Sequence, residues 1–217
     1  MARRQPISTL RGRRSFRRRA GRKTPRSVTL IVCEGETEQE YFDAARIHYA
    51  LSTAEVIVAE NTVGSAPISV VQCAEKKCAE RGGYDKVYCV MDRDGHGSFD
   101  QARVAIKTLA GRTRKPLPIE EAVSIPCFEV WVLLHFERAD PPFTRCDDVI
   151  QRIRDKHMTN YEKADTAVVR QLMQRIDDAV ANAEWLEGRA VTNNHNPFTS
   201  VHRVVQYLAG VAVKEAA

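Results

Sequence analysis

Three carboxylates carry the first chemical signal in this chain. Glu34 and Gly35 end the apolar run VTLIVC at residues 28–33, and Asp92 and Asp94 flank Arg93 directly after KVYCVM at residues 86–91. On an extended chain, side chains at i and i+2 share a face, so the two aspartates can approach one cation. If both apolar runs are strands of one parallel sheet, Glu34, Asp92 and Asp94 meet at the carboxyl edge, where open α/β sheets place their ligands. Oxygen donors without Cys or His companions favour a hard cation such as Mg²⁺ or Mn²⁺ over zinc. Such a cation keeps water positions open for phosphate oxygens and can polarise a phosphodiester. The plain alternative is that Asp and Gly are ordinary turn residues. A Glu-Gly turn at the end of a separate strand weighs against it. Gly95 and Gly97 allow close backbone approach. His96 is either a metal or phosphate contact or an exposed loop histidine.

The elements that must position these acids read as follows. The β-branched run before Glu34 is one strand long and suits a buried strand. Thr37 is the expected cap of a helix that starts near Glu38, with acids in its first turn. Residues 39–51 read as that helix, with Tyr41, Phe42, Ala45 and Tyr49 near one face. AEVIVA (54–59) is a second strand, 68–80 a second helix stopped by Gly82 and Gly83, and KVYCVM the third strand. Residues 99–109 read as a third helix with Val104, Ile106 and Leu109 apolar, and 120–125 as a fourth strand. A β-α-β-α-β-α-β order implies a mostly parallel sheet. Beyond it the chain reads as helical: FEVWVLLHF (128–136), 147–155, 166–184, and a last helix that runs to Val213 and is capped by Thr199 or Ser200.

That second half holds the supporting candidates. Glu129 is a charge inside an apolar stretch, where an unpaired carboxylate is costly, so it must face the metal site or pair with an arginine. Lys163, in YEKAD, can meet a scissile phosphate and stabilise developing charge, or is a surface lysine. Asn194, Asn196 and Thr199 can orient phosphate near a helix N-terminus, or serve ordinary capping. His202, one helical turn beyond Thr199, is a weaker acid/base candidate, and His135 reads as a core histidine.

Charge is unevenly spread. Residues 1–26 hold eleven Lys or Arg and no acid, so with a net charge of +5 the remainder sums to 5 − 11 = −6. The run Arg13, Arg14, Arg17, Arg18, Arg19, Arg22 and Lys23 is expected to be a disordered arm that neutralises nucleic-acid phosphates. A solubilising tail, an assembly contact or a transit-like segment are the other readings. Hydrophobic content of 43% suits a normal core, and no apolar run approaches the roughly 20 residues of a membrane span. The six cysteines lack CxxC spacing, which argues for reduced thiols, a cytoplasmic setting and no zinc site.

The Glu-Gly turn after the first strand, followed by DxD after a later one, resembles the Toprim fold of topoisomerases, primases and nucleases. CEGETE, MDRDGHG, SIPCFEVWVLLHF, YEKAD and NPFTSVHRVV stand in the order found in RloB-like (AbiLii-like) proteins, across about residues 26–212. Those proteins are associated with anti-phage defence and abortive infection, often beside an ABC-class or AAA-type ATPase, and related effectors cleave tRNA. The resemblance implies a metal-dependent nuclease in which Asp92 and Asp94 bind Mg²⁺ and Glu34 binds metal or acts as general acid/base. Glu38 matches the second acid of the CEGxTE signature; it holds a second ion or merely favours the helix N-terminus.

The expectation is therefore an α/β, Toprim-like, mostly parallel sheet flanked by helices. It would carry a basic arm (1–26), an α/β core (27–126) and a helical C-terminal region (127–217). The expected function is Mg²⁺- or Mn²⁺-dependent cleavage of RNA or DNA in anti-phage defence. The rivals are a non-catalytic nucleic-acid-binding or assembly subunit, and a primase-like nucleotidyl transferase sharing the same acids.

Overall fold

A computed structural model describes residues 27–59, 66–93, 97–192 and 195–216. Asp94, His96, Asn194 and the basic arm, with Arg13, Arg14, Arg17, Arg18, Arg19, Arg22 and Lys23, lie outside the described residues.

The first apolar run forms β1 (Thr29–Cys33), buried at every position. It lies inside a sheet because both of its faces are apolar and both of its backbone edges are paired. β1 pairs in parallel with β2 (Ala54–Val58) on one side and with β3 (Lys86–Asp92) on the other. β4 (Ile119–Ile125) extends the parallel ladder, and β5 (Phe198–Thr199) closes it antiparallel, giving the order β2-β1-β3-β4-β5. The parallel strands share one carboxyl edge, so Cys33, Val58, Asp92 and Ile125 end on the same side of the molecule.

Eight helices flank the sheet among the described residues. α2 (Pro67–Glu80) and α3 (Phe99–Ala110) cover one face, where Leu30, Val32, Val87, Cys89 and Met91 meet Val70, Val71, Ala74, Ala102 and Ile106. The other face carries α1 (Glu36–His48), α4 (Glu129–Leu134), α5 (Cys146–Lys156), α6 (Thr166–Met173), α7 (Ile176–Glu187) and α8 (Val201–Ala216). There Ile31, Cys33, Tyr88 and Val90 pack with Tyr41, Phe128, Trp131, Ile153, Leu172, Ala183 and Leu208. Alternation along each strand sends successive side chains to the two layers. Among the described residues no helix is long and apolar enough to cross a membrane.

Several local expectations need correction. α1 begins at Glu36, with Gly35 as N-cap and no side-chain cap, so Thr37 lies within the helix rather than before it. Val104 is 62% exposed, because the buried stripe of α3 is Phe99, Ala102, Ile106 and Leu109 and position 104 falls on the opposite face. The single helix expected over 166–184 is two, broken at Gln174 and Arg175 so that Val168, Val169 and Leu172 and then Ile176, Ala179 and Ala183 each reach the core. β5 was not anticipated. It exists because Thr199 pairs with Ser124, and Ser200 Oγ accepts the Val123 N–H at 2.9 Å.

Candidate active site

The site is built on the carboxyl ends of β1 and β3. Glu34 follows the last residue of β1 and is only 9% exposed. It crosses to the neighbouring strand, where its Oε2 accepts the Asp92 N–H at 3.2 Å. Asp92 closes β3, and its Oδ2 accepts the Phe128 N–H at 2.9 Å. Its other oxygen, Oδ1, is buried and finds no hydrogen-bond partner among the described residues. A buried carboxylate oxygen without a donor is costly and calls for a positive ligand.

Glu38 joins them from the first turn of α1 and is 6% exposed. Gly35 makes room for it: a Cβ at that position would stand 3.2 Å from Glu38 Oε2. Burial pushes Glu38 up to about 7, and the charges of Glu129 and Glu34 add to the rise, against its own helix-start hydrogen bond and Lys163. Asp92 is raised well above the ordinary carboxylate range, again by burial first and then by Glu38, with Glu129 and Glu34 contributing and the Phe128 N–H opposing. Glu38 and Asp92 thus sit among like charges in a poorly hydrated pocket, the condition under which such carboxylates hold protons or take a cation.

Opposite them stands Lys163. Its Nζ lies 2.8 Å from Glu129 Oε1, close enough for an ion pair though not aligned as a hydrogen bond. Burial alone would lower the lysine, but Glu129 beside it and then Asp92 and Glu38 raise it, so it stays charged. Glu129 is 1% exposed; of the two expected roles it lies beside the acids, and the cation it pairs with is this lysine, not an arginine. Tyr161 is buried beside the same acids, with its hydroxyl unpartnered among the described residues. Burial raises the phenol first, and Glu129 and Glu38 raise it further, so it remains protonated.

The remaining candidates fall elsewhere. Asn196 is spent on the loop it faces, donating to Phe143 O at 2.9 Å and accepting the Phe143 N–H at 3.2 Å. Thr199 Oγ1 accepts the Val201 N–H and shares a hydrogen bond with Ser124 Oγ. His202 is buried and sits 3.3 Å from Glu187. Burial lowers its pKa, which Glu187 partly offsets. These three therefore hold β5 and α8 in place rather than reaching the acids. His135 is a core residue, as expected: it bonds Tyr41 and the Trp131 carbonyl, and burial takes it down to about 4.

Sequence reasoning missed two features. The Phe128 N–H holds Asp92, a backbone role that no side-chain pattern announces. Cys127 and Cys146, 19 residues apart, are joined with their Cα atoms 5.6 Å apart. The expectation of six reduced thiols does not hold for this pair, because α4 and α5 pack against each other and bring position 127 onto the first residue of α5. Glu129 lies with them: the ligand atoms of Cys127, Glu129 and Cys146 are all within 4.8 Å of one another. With the sulfurs bonded to each other, this group is not arranged as a zinc site.

The RloB-like protein family matches residues 29–208 of the chain. The chain belongs to the RloB-like family. The matched span starts at β1 and ends within α8, and so takes in every acid described above. Searches of curated proteins and of solved structures returned no match.

Proposed function

We propose that this RloB-like protein is a metal-dependent, Toprim-type nuclease that cleaves nucleic-acid phosphodiesters as an effector of anti-phage defence. The observation that carries the proposal is the gathering of Glu34, Glu38 and Asp92 at one sheet edge, with an Asp92 oxygen buried and unpartnered. The donor set fits a hard divalent cation. It is all oxygen, it carries excess negative charge, and Asp94, outside the described residues, adds a fourth carboxylate two positions on. Glu34, Glu38, Asp92 and Asp94 are the residues that would hold Mg²⁺ or Mn²⁺. When bound, the ion supplies charge neutralisation at the phosphate and a more acidic water.

The chain's own groups then have separate tasks. The Phe128 N–H fixes the Asp92 carboxylate through one oxygen and leaves the other without a hydrogen-bond partner among the described residues. Glu34 either shares the ion or takes a proton from the attacking water. Lys163, held in its charged form, meets the scissile phosphate and offsets the charge that develops there. Glu129 aims Lys163. The basic arm adds sequence-independent phosphate affinity. A cytoplasmic setting and an ABC- or AAA-type ATPase partner belong to the same proposal, on family resemblance alone.

The experiment compares the wild type with the Asp92→Ala/Asp94→Ala variant in cells under phage challenge, with and without an adjacent ATPase. Total RNA and DNA are sequenced for new ends. Discrete ends that vanish in the variant establish cleavage and name the substrate class. Equal protection by both proteins with no new ends overturns it and leaves a non-catalytic binding or assembly subunit.

A further inference from the structure

Cys127 and Cys146 lie against the wall of the acid cluster, and the proposed cleavage uses neither. Cys127 immediately precedes Phe128, whose N–H holds Asp92. Cys146 is the first residue of the 11-residue α5 and only partly buried, while Cys127 is 2% exposed. Cys146 is the more accessible sulfur of the pair and stands between a carboxylate and a cation. Its Sγ lies 3.0 Å from Glu129 Oε2, a ready acceptor for the S–H proton. Lys163 Nζ stands 3.8 Å from the same sulfur, and the positive end of α5 adds to its field. The cation and the helix N-terminus favour the thiolate while the Glu129 carboxylate opposes it, so Lys163 decides how readily Cys146 reacts. Cys33 and Cys89, by contrast, are fully buried, and burial raises both thiols.

The same arrangement serves two chemistries. The Cys146-to-Glu129 contact is a hydrogen bond only while the sulfur carries a hydrogen. The Cys127–Cys146 bond exists only when it does not. We infer that Cys127 and Cys146 are a reversible redox-modification site, in which a hydroperoxide oxidises Cys146, Cys127 resolves it as the disulfide, and a dithiol reductant restores both thiols. The balance is explicit. The Cys146 thiolate attacks a peroxide oxygen, the O–O bond breaks, and a sulfenic acid and water (or an alcohol) form. The Cys127 thiol then displaces hydroxide from that sulfur, which leaves as water with the thiol proton. Two thiols lose two electrons and one peroxide gains them. Reversal is thiol–disulfide exchange with the dithiol.

The state of the pair is read out at Glu129. In the reduced form this buried carboxylate has two partners, the Cys146 thiol and Lys163. Oxidation removes the thiol donor and leaves Glu129 dependent on Lys163 alone. The redox chemistry itself does not depend on the nuclease reading.

The test uses the full-length protein, reduced and desalted, then exposed to hydrogen peroxide. Peptides are mapped without reductant. The expected product is the Cys127–Cys146 cross-linked peptide, reversed by dithiothreitol under native conditions. Cys127→Ser should leave a sulfenic acid at Cys146 that dimedone traps, while Cys146→Ser should leave Cys127 unmodified. Lys163→Met should slow oxidation of Cys146 several-fold, with circular dichroism confirming that each variant folds. The inference is overturned if Cys73 or Cys78 oxidises as fast as Cys146, or if Lys163→Met leaves the rate unchanged. It is equally overturned if dithiothreitol opens the cross-link only after denaturation, which would make the bond a static staple.

Discussion

At the scale of the residue, the site is an unsettled balance of like charges, and Glu38 is where that shows. Its folded pKa of about 7 lies above the usual value of 4.5. The folded protein therefore binds this proton more tightly than the unfolded chain does. The stability so gained is fully present below about pH 4.5 and is lost as pH rises through about 7. At about 1.4 kcal/mol per unit, the loss is on the order of 3 kcal/mol, and Asp92, raised in the same direction, steepens it. Thermal unfolding of the metal-free protein between pH 4.5 and 8 should show this fall. Glu38→Gln should flatten it, and Mg²⁺ at pH 8 should recover the wild-type midpoint. Parallel profiles for wild type and Glu38→Gln would mean that the carboxylate is solvated. Asp92→Asn makes the complementary case. The amide oxygen still accepts the Phe128 N–H, and one charge leaves the cluster. The variant should be as stable as the wild type or more so, by about 1 kcal/mol, while the proposed cleavage falls by on the order of 10²-fold or more. A midpoint that drops together with activity would assign Asp92 a structural task instead.

At the scale of the element, the acids are only as well placed as the strands that carry them. β1 and β3 were legible because each is a continuous β-branched or apolar run ending in an acid at a turn, a pattern that few other local structures satisfy. Glu129 was legible as an anomaly, since a carboxylate amid Val, Trp and Leu needs a partner. Its partner was not legible. Lys163 arrives from a loop 34 positions away, and that meeting depends on how α4, α5 and the loop pack. The two-residue β5 is too short to leave any periodic trace, and the cysteine pair has no local spacing to betray it. The Glu129–Lys163 pair therefore offers a test of packing. Lys163→Met strands a buried carboxylate, although the half-exposed lysine is partly screened, so the cost should be about 1–3 kcal/mol in chemical denaturation. Adding Glu129→Gln to that variant should recover most of the loss, and strict additivity of the two changes would remove the pair from the account. Ser200 gives a cleaner reading of the β4–β5 join. Its hydroxyl is the acceptor for the buried Val123 N–H, so Ser200→Ala should cost about 1–3 kcal/mol through an orphaned donor.

At the scale of the whole molecule, charge is divided between two parts of opposite sign. Residues 1–26 carry eleven positive charges, and residues 27–217 sum to −6. An acidic body with a crowded carboxylate cluster repels a polyanion, so the body alone is a poor first point of contact for nucleic acid. On the proposed function, the basic segment reverses that. Each phosphate it neutralises releases a counterion and steepens the salt dependence by roughly 0.9 for duplex DNA or about 0.7 for a single strand. Fluorescence anisotropy with a labelled 20-mer, in EDTA to prevent cleavage, reads this directly across a range of salt concentrations. Deleting residues 2–26 should weaken binding by on the order of 10²-fold or more at low salt and flatten the slope by several units. Asp92→Asn in the full chain should leave both affinity and slope unchanged, because it removes no phosphate contact. That contrast separates recruitment by the arm from chemistry at the sheet edge. If the truncated protein binds as tightly, with the same slope, phosphate is held by the body despite its net charge, and the arm serves solubility or assembly.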